Sequence, residues 1–83
     1  MELRFFRDRE QREVDFVILQ DKKPIEFVEC KYSRQNVDPS LSYLKRKFPE
    51  VKATQVCMEP CEDVENKDGI RFCDGVSYLW DKV

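Results

Sequence analysis

Several things are missing from this 83-residue chain, and each absence narrows what it can be. No apolar run approaches the roughly 18 residues of a membrane span, so no membrane partner is expected. The opening MELRFFRDRE lacks the apolar core of a signal peptide, and a cytoplasmic location is expected. There is no surplus of positive charge: the net charge is -2 and the pI near 5.2, without the bulk basicity usual in nucleic-acid binders. Histidine is absent, and CMEPC spaces Cys57 and Cys61 by three residues rather than the commoner two, so a zinc site is not expected. No repeats, linkers or low-complexity tracts divide the chain.

What is present is dense. Charged residues make up 39% of the chain and hydrophobic residues 41%. Six Phe, three Tyr and one Trp argue for folding rather than disorder. One domain over 1–83 is expected, with a thin core, since a chain this short buries only about 60–65% of its unfolded surface. The four cysteines (Cys30, Cys57, Cys61, Cys73) are expected as free thiols.

LRFFR (3–7), EVDFVIL (13–19) and PIEFVECKYS (24–33) read as strands, rich in β-branched and aromatic residues. RDREQR is a charged turn between the first two. Asp38 is a good N-cap with Pro39 at the first helical position, and Leu41, Leu44 and Phe48 keep helical spacing up to Pro49. KATQVCM (52–58) reads as a strand, EPCEDVENKDG as an acidic loop, and IRFC-DG-VSYLW as a final tight hairpin. The fold expected is α/β: a three-stranded antiparallel start, one crossover helix, then two or three strands in a mixed sheet. Lys45, Arg46 and Lys47 form a contiguous basic run, and Lys31 and Arg34 lie near the far end of the hairpin. The run reads either as a local basic patch or as a helix's solvated last turn.

Charges sit inside the most strand-like segment. With a three-residue loop at Asp21-Lys22-Lys23, Leu19 faces Ile25, Val17 faces Phe27, Asp15 faces Glu29 and Glu13 faces Lys31. Side-chain alternation puts all eight on one face, apolar near the turn and ionic at the far end. The opposite face carries Val14, Phe16, Ile18, Glu26, Val28 and Cys30 and is almost entirely apolar. A two-residue loop would instead set Asp15 opposite Val28. Asp15 facing Glu29 is a like-charge pair, unfavourable in a bare strand pair. A divalent cation such as Mg²⁺, which takes carboxylate oxygens and substrate phosphate, would reverse that sign. Lys31 could then hold a phosphate or a water. The other reading is a surface ion-pair patch with Glu13 satisfied by Lys31, worth ~0–1 kcal/mol.

Asp15, a gap of thirteen residues, then Glu29-Cys30-Lys31 resembles the PD-(D/E)xK pattern of restriction-endonuclease-like proteins. FFRDREQREVDFVI followed by PIEFVECKYS is similar to the DUF4143-type C-terminal domain of bacterial and archaeal AAA-type ATPases. The resemblance is strong over residues 3–58 and looser over GIRFCDGVSYLW. It implies a nuclease-like, nucleic-acid-binding domain of an ATPase-associated protein, with Mg²⁺-dependent phosphodiester hydrolysis as the reaction. By motif position Asp15, Glu29 and the Cys30 backbone carbonyl would ligate Mg²⁺. Lys31 would orient or activate the attacking water, and Glu13 would be an accessory acid. That fold opens with a helix before its first strand, so the resemblance also implies a truncated domain. No G-x-x-x-x-G-K-[ST] segment is present, so an ATPase domain would be a partner. The alternative is a non-catalytic interaction or dimerisation module, pairing through the LRFFR edge.

Overall fold

The computed structural model describes residues 2–7, 13–33 and 36–80, with side chains from Asp15 onward. The elements are β1 (Glu2–Arg7), β2 (Glu13–Gln20), β3 (Lys23–Lys31), α1 (Pro39–Lys47), β4 (Lys52–Cys57), β5 (Val64–Glu65), β6 (Ile70–Asp74) and α2 (Gly75–Trp80). The strands form one mixed sheet in the order β1-β2-β3-β4-β6-β5. β1, β2 and β3 are antiparallel neighbours. α1 then crosses over so that β4 lies parallel to β3, and β6 lies parallel to β4. This is the α/β plan expected: an antiparallel start, a crossover helix, three further strands. No helix among the described residues is long and apolar enough to cross a membrane. Residues 8–12 of the expected charged turn lie outside those described.

Alternation along the strands builds two cores, one on each face of the sheet. Val17, Phe27, Ala53 and Ile70 are buried against Leu41 and Leu44 of α1, with Val51. Ile18, Val28, Val56 and Cys73 are buried on the other face, where Tyr78 of α2 packs. Glu26 is the exception on this second face. It is 4% exposed, and its Oε2 accepts a 2.6 Å bond from Thr54 Oγ1. That bond offsets part of the cost of burying a carboxylate among apolar neighbours.

The β2–β3 turn departs from expectation. Gln20 pairs with Lys23, so the loop is the two residues Asp21 and Lys22. Both have positive φ, 54° and 65°. Two successive left-handed residues give the local twist that suits a right-twisted hairpin. The register then shifts between Ile18 and Leu19: Leu19 pairs with Pro24 rather than Ile25, while Ile18 pairs with Glu26. Ile25 is thus the extra residue of a β-bulge. Pro24, which has no N–H to give a ladder, suits that irregular position. One residue lost from the turn and one gained in the bulge cancel. Val17 faces Phe27 as the sequence predicts, and Phe16 faces Val28 next to it.

The tail also differs. The expected final hairpin turned at Asp74-Gly75. The structure turns earlier, at Asn66–Gly69, where Asn66 Oδ1 accepts from the Asp68 and Ile70 amides. Gly69 supplies a φ of 83° there. β5 and β6 are the arms of this hairpin. Gly75–Trp80 is a helix, not a strand, because Asp74 Oδ1 accepts the Ser77 amide at 2.8 Å and so satisfies an N-terminal donor of α2.

Candidate functional site

β2 and β3 end side by side at one margin of the sheet. The last paired residues before that margin are Phe16 and Val28. Beyond them, two carboxylates replace the ladder. The Asp15 amide donates to Glu29 Oε1 at 3.0 Å, and the Cys30 amide donates to Asp15 Oδ2 at 2.8 Å. Each acidic side chain therefore closes on the backbone of the opposite strand. These charge-assisted bonds offset the repulsion that the facing pair would otherwise carry. Asp15 and Glu29 are brought together, as the register predicts.

Lys31 lies on the same face, two residues past Glu29. Its Nζ is 2.8 Å from Asp38 Oδ2 and 3.7 Å from Glu29 Oε2. The hydrogen bond to Asp38 holds the ammonium above its ordinary pKa. The sequence offered Glu13 as its partner. Glu13 opens β2 and pairs with Arg7 along the backbone, but its side chain lies outside those described.

Asp38 is the site residue that sequence reasoning missed. It appeared only as a helix cap, and it is one: Oδ1 accepts the Ser40 amide at 2.9 Å. Its other oxygen takes Lys31, and its own amide donates to Gln55 Oε1 at 2.8 Å. Gln55 is 3% exposed on β4 and donates in turn to the Asn36 carbonyl at 3.1 Å. β4 thus pins the start of α1 over the end of β3. Nothing in the spacing of Asp38 from Lys31 signals this. It follows from the crossover that returns α1 across the sheet face on which Glu29, Lys31 and Gln55 stand.

The result is three carboxylates around one ammonium. Asp38 is desolvated, but the Lys31 hydrogen bond, the Ser40 amide and the Lys31 charge outweigh this and hold it below its ordinary pKa. Glu29 goes the other way. Burial, then the charges of Asp15 and Asp38, push it up to about 7 from 4.5. Burial first, then Asp15 and Glu29, also raise the Cys30 thiol, which lies on the opposite face. A carboxyl that titrates near neutrality beside an anchored cation marks a candidate functional site.

The basic run resolves as the end of α1. Lys45 Nζ caps the Pro49 and Val51 carbonyls at 3.0 Å each, and Lys47 lies 5.6 Å over the Tyr43 ring. Arg34 lies outside the described residues.

A family model described as a domain of unknown function, DUF4143, matches residues 1–77. This chain belongs to the DUF4143 family. The match runs past residue 58, where the resemblance weakens to the eye, and takes in β5, β6 and the start of α2. No curated protein and no solved structure matches the chain. Within the DUF4143 domain, then, the EVDF and ECK strings are the facing ends of β2 and β3.

These residues also bear on whether a divalent cation fits. Among the described residues no three His, Cys, Asp or Glu side chains converge as a ready cage. Asp15 and Glu29 face each other across one strand gap, with Asp38 held beside them by Lys31, in a cluster whose carboxylates outnumber its ammonium. Mg²⁺ commonly needs only one or two carboxylates, completing its shell with water and substrate phosphate. The donor set fits a cation of that kind and not a closed structural metal.

Proposed function

We propose that this DUF4143 domain is a nuclease-like, nucleic-acid-binding domain of an ATPase-associated protein. In this reading it hydrolyses phosphodiester bonds with Mg²⁺. One observation carries the reading: Asp15, Glu29 and Lys31 meet at one end of one sheet face, with Glu29 poised near pH 7. Asp15 and Glu29 would hold the cation, with the Cys30 carbonyl as a backbone ligand. The bound cation would supply Lewis-acid stabilisation of the phosphate charge. Lys31, held in place by Asp38, orients the attacking water or a phosphate oxygen. Glu13 is assigned as an accessory acid from motif position. The net charge of -2 argues that affinity comes from this site rather than from a broad basic surface.

Cleavage is the test. Single- and double-stranded DNA and RNA are incubated with the protein in Mg²⁺ or Mn²⁺, with Asp15→Ala and Lys31→Ala as controls. Metal-dependent cleavage that falls about a hundredfold or more in each variant is expected, the order found when a stabilising group is removed from an active site. Cleavage that survives in both variants contradicts the assignment.

A second reading has its own observation. Among the described residues β1 has a neighbouring strand on one side only, so its outer edge can template another strand. An interaction or dimerisation module would use that edge and ignore the metal.

A further inference from the structure

Cys57 and Cys61 stand apart from the metal reading. Cys57 ends β4, is 4% exposed, and is in register with Lys31 on β3 and Asp74 on β6. Cys61 is half-buried in the loop that follows. Their sulfurs are 2.7 Å apart, and the Cys57 sulfur also lies 2.9 Å from the Glu59 carbonyl oxygen. The intervening loop is anchored at both ends. The Met58 and Glu59 amides donate to the Lys31 and Tyr32 carbonyls at 2.9 and 3.3 Å, and the Cys61 amide donates to Asp74 Oδ2 at 3.3 Å. The thiols are thus held face to face by backbone anchors, not by chance of a free loop. Among the described residues no group of three His, Cys, Asp or Glu is arranged to hold a metal ion. The other two cysteines cannot substitute. Cys30 and Cys73 each pair with Val56 from opposite sides, so they lie two strand spacings apart, about 9–10 Å, beyond disulfide reach.

We propose that Cys57 and Cys61 are a redox-active dithiol that oxidises reversibly to an intrachain disulfide beside Lys31. The oxidant is a small disulfide of the glutathione class. The more exposed Cys61 thiolate attacks one glutathione sulfur, an S–S bond forms, and the first glutathione leaves as thiolate. The Cys57 thiolate then attacks the Cys61 sulfur, and the second glutathione leaves. The two cysteines lose two electrons and two protons together, and both protons are taken up by the departing glutathione thiolates. The product fastens the 58–60 loop to the end of β4. That loop carries the last two amides bonded to the β3 terminus, so the backbone around Lys31 and Tyr32 stiffens. The proposal does not need the nuclease reading.

The reduced full chain is incubated with oxidised glutathione and read by intact mass and peptide mapping. The expected result is a mass lower by two hydrogens, a Cys57–Cys61 linkage, and Cys30 and Cys73 still open to alkylation after unfolding. Cys57→Ser is expected to stop at a glutathione adduct on Cys61, and Cys61→Ser to form no disulfide. Amide exchange at Met58 and Glu59 is expected to slow about tenfold in the oxidised chain. Four free thiols after incubation, a stable glutathione adduct in the wild type, or a linkage to Cys30 or Cys73 would overturn the dithiol. Unchanged exchange at Met58 and Glu59 would overturn the bracing of the Lys31 strand.

Discussion

Phe27→Ala is expected to leave the protein largely unfolded near body temperature. Phe27 is 1% exposed, pairs with Val17 on β2 and Ala53 on β4, and meets Phe48 with ring centroids 5.9 Å apart. It sits where the helix-covered core closes over the central strand. Truncating a buried Phe costs about 3–5 kcal/mol, from lost transfer energy plus the cavity left behind. A domain of this size has roughly 4–12 kcal/mol in all. The thermal midpoint should therefore fall by about 12 °C or more, and Phe27→Leu should recover most of it. A fall of only about 4 °C for the alanine variant would mean that this core is not the one that holds the sheet. The effect reaches the site as well, because Glu29 is two residues along the same strand face.

The second large effect is electrostatic and depends on pH. Glu29 titrates near 7 in the folded chain but in the ordinary carboxylate range, 4.5, when unfolded. The folded state binds this proton more tightly. The associated stability is therefore fully present below about pH 4.5 and is lost as pH rises through about 7. Glu29→Gln keeps an oxygen for the Asp15 amide but cannot ionise. Its unfolding free energy should be nearly flat between pH 5 and 8, ending above the wild type at pH 8. Lys31→Met does the reverse. It removes the ammonium from Asp38 and Glu29 and leaves three carboxylates facing one another. Breaking a well-buried pair costs about 3–5 kcal/mol, but Lys31 keeps a quarter of its side-chain surface in water, so about 1–2 kcal/mol at pH 8 is expected. The cost should shrink at pH 5, where Glu29 carries its proton. Urea unfolding at the two pH values separates these cases. A Lys31→Met penalty that is equal at both would contradict the coupling to Glu29.

Much of this was legible along the chain, for reasons that individual residues make plain. Val, Ile and Phe at alternating positions fixed β2 and β3, and Asp38-Pro39 marked the start of α1. Asp15 and Glu29 were placed together from register alone. That placement rested on a three-residue loop, and it survived because the bulge at Ile25 restored the step that the two-residue turn removed. Bulges follow from how a strand meets its neighbours, not from local composition, so the compensation was invisible. The tail was misread because two Asp-Gly pairs compete. Asp68-Gly69 makes the turn, while Asp74-Gly75 starts a helix, since Asp74 caps Ser77. Asp38 and Gln55 were missed because a crossover, not a motif, brings them to Lys31.

The central claim is that Asp15 and Glu29 form one cation-binding pair. Carboxyl resonances of all Asp and Glu residues, followed by NMR during a Mg²⁺ titration at pH 7 and repeated in Asp15→Asn, test it most directly. The account predicts that Asp15 and Glu29 move together at millimolar metal, with Glu29 losing its proton as the cation binds, while Asp63, held by Arg71, stays still. In Asp15→Asn the Glu29 response should disappear. Carboxyl signals at Asp15 and Glu29 that do not move at tens of millimolar Mg²⁺ would contradict the claim.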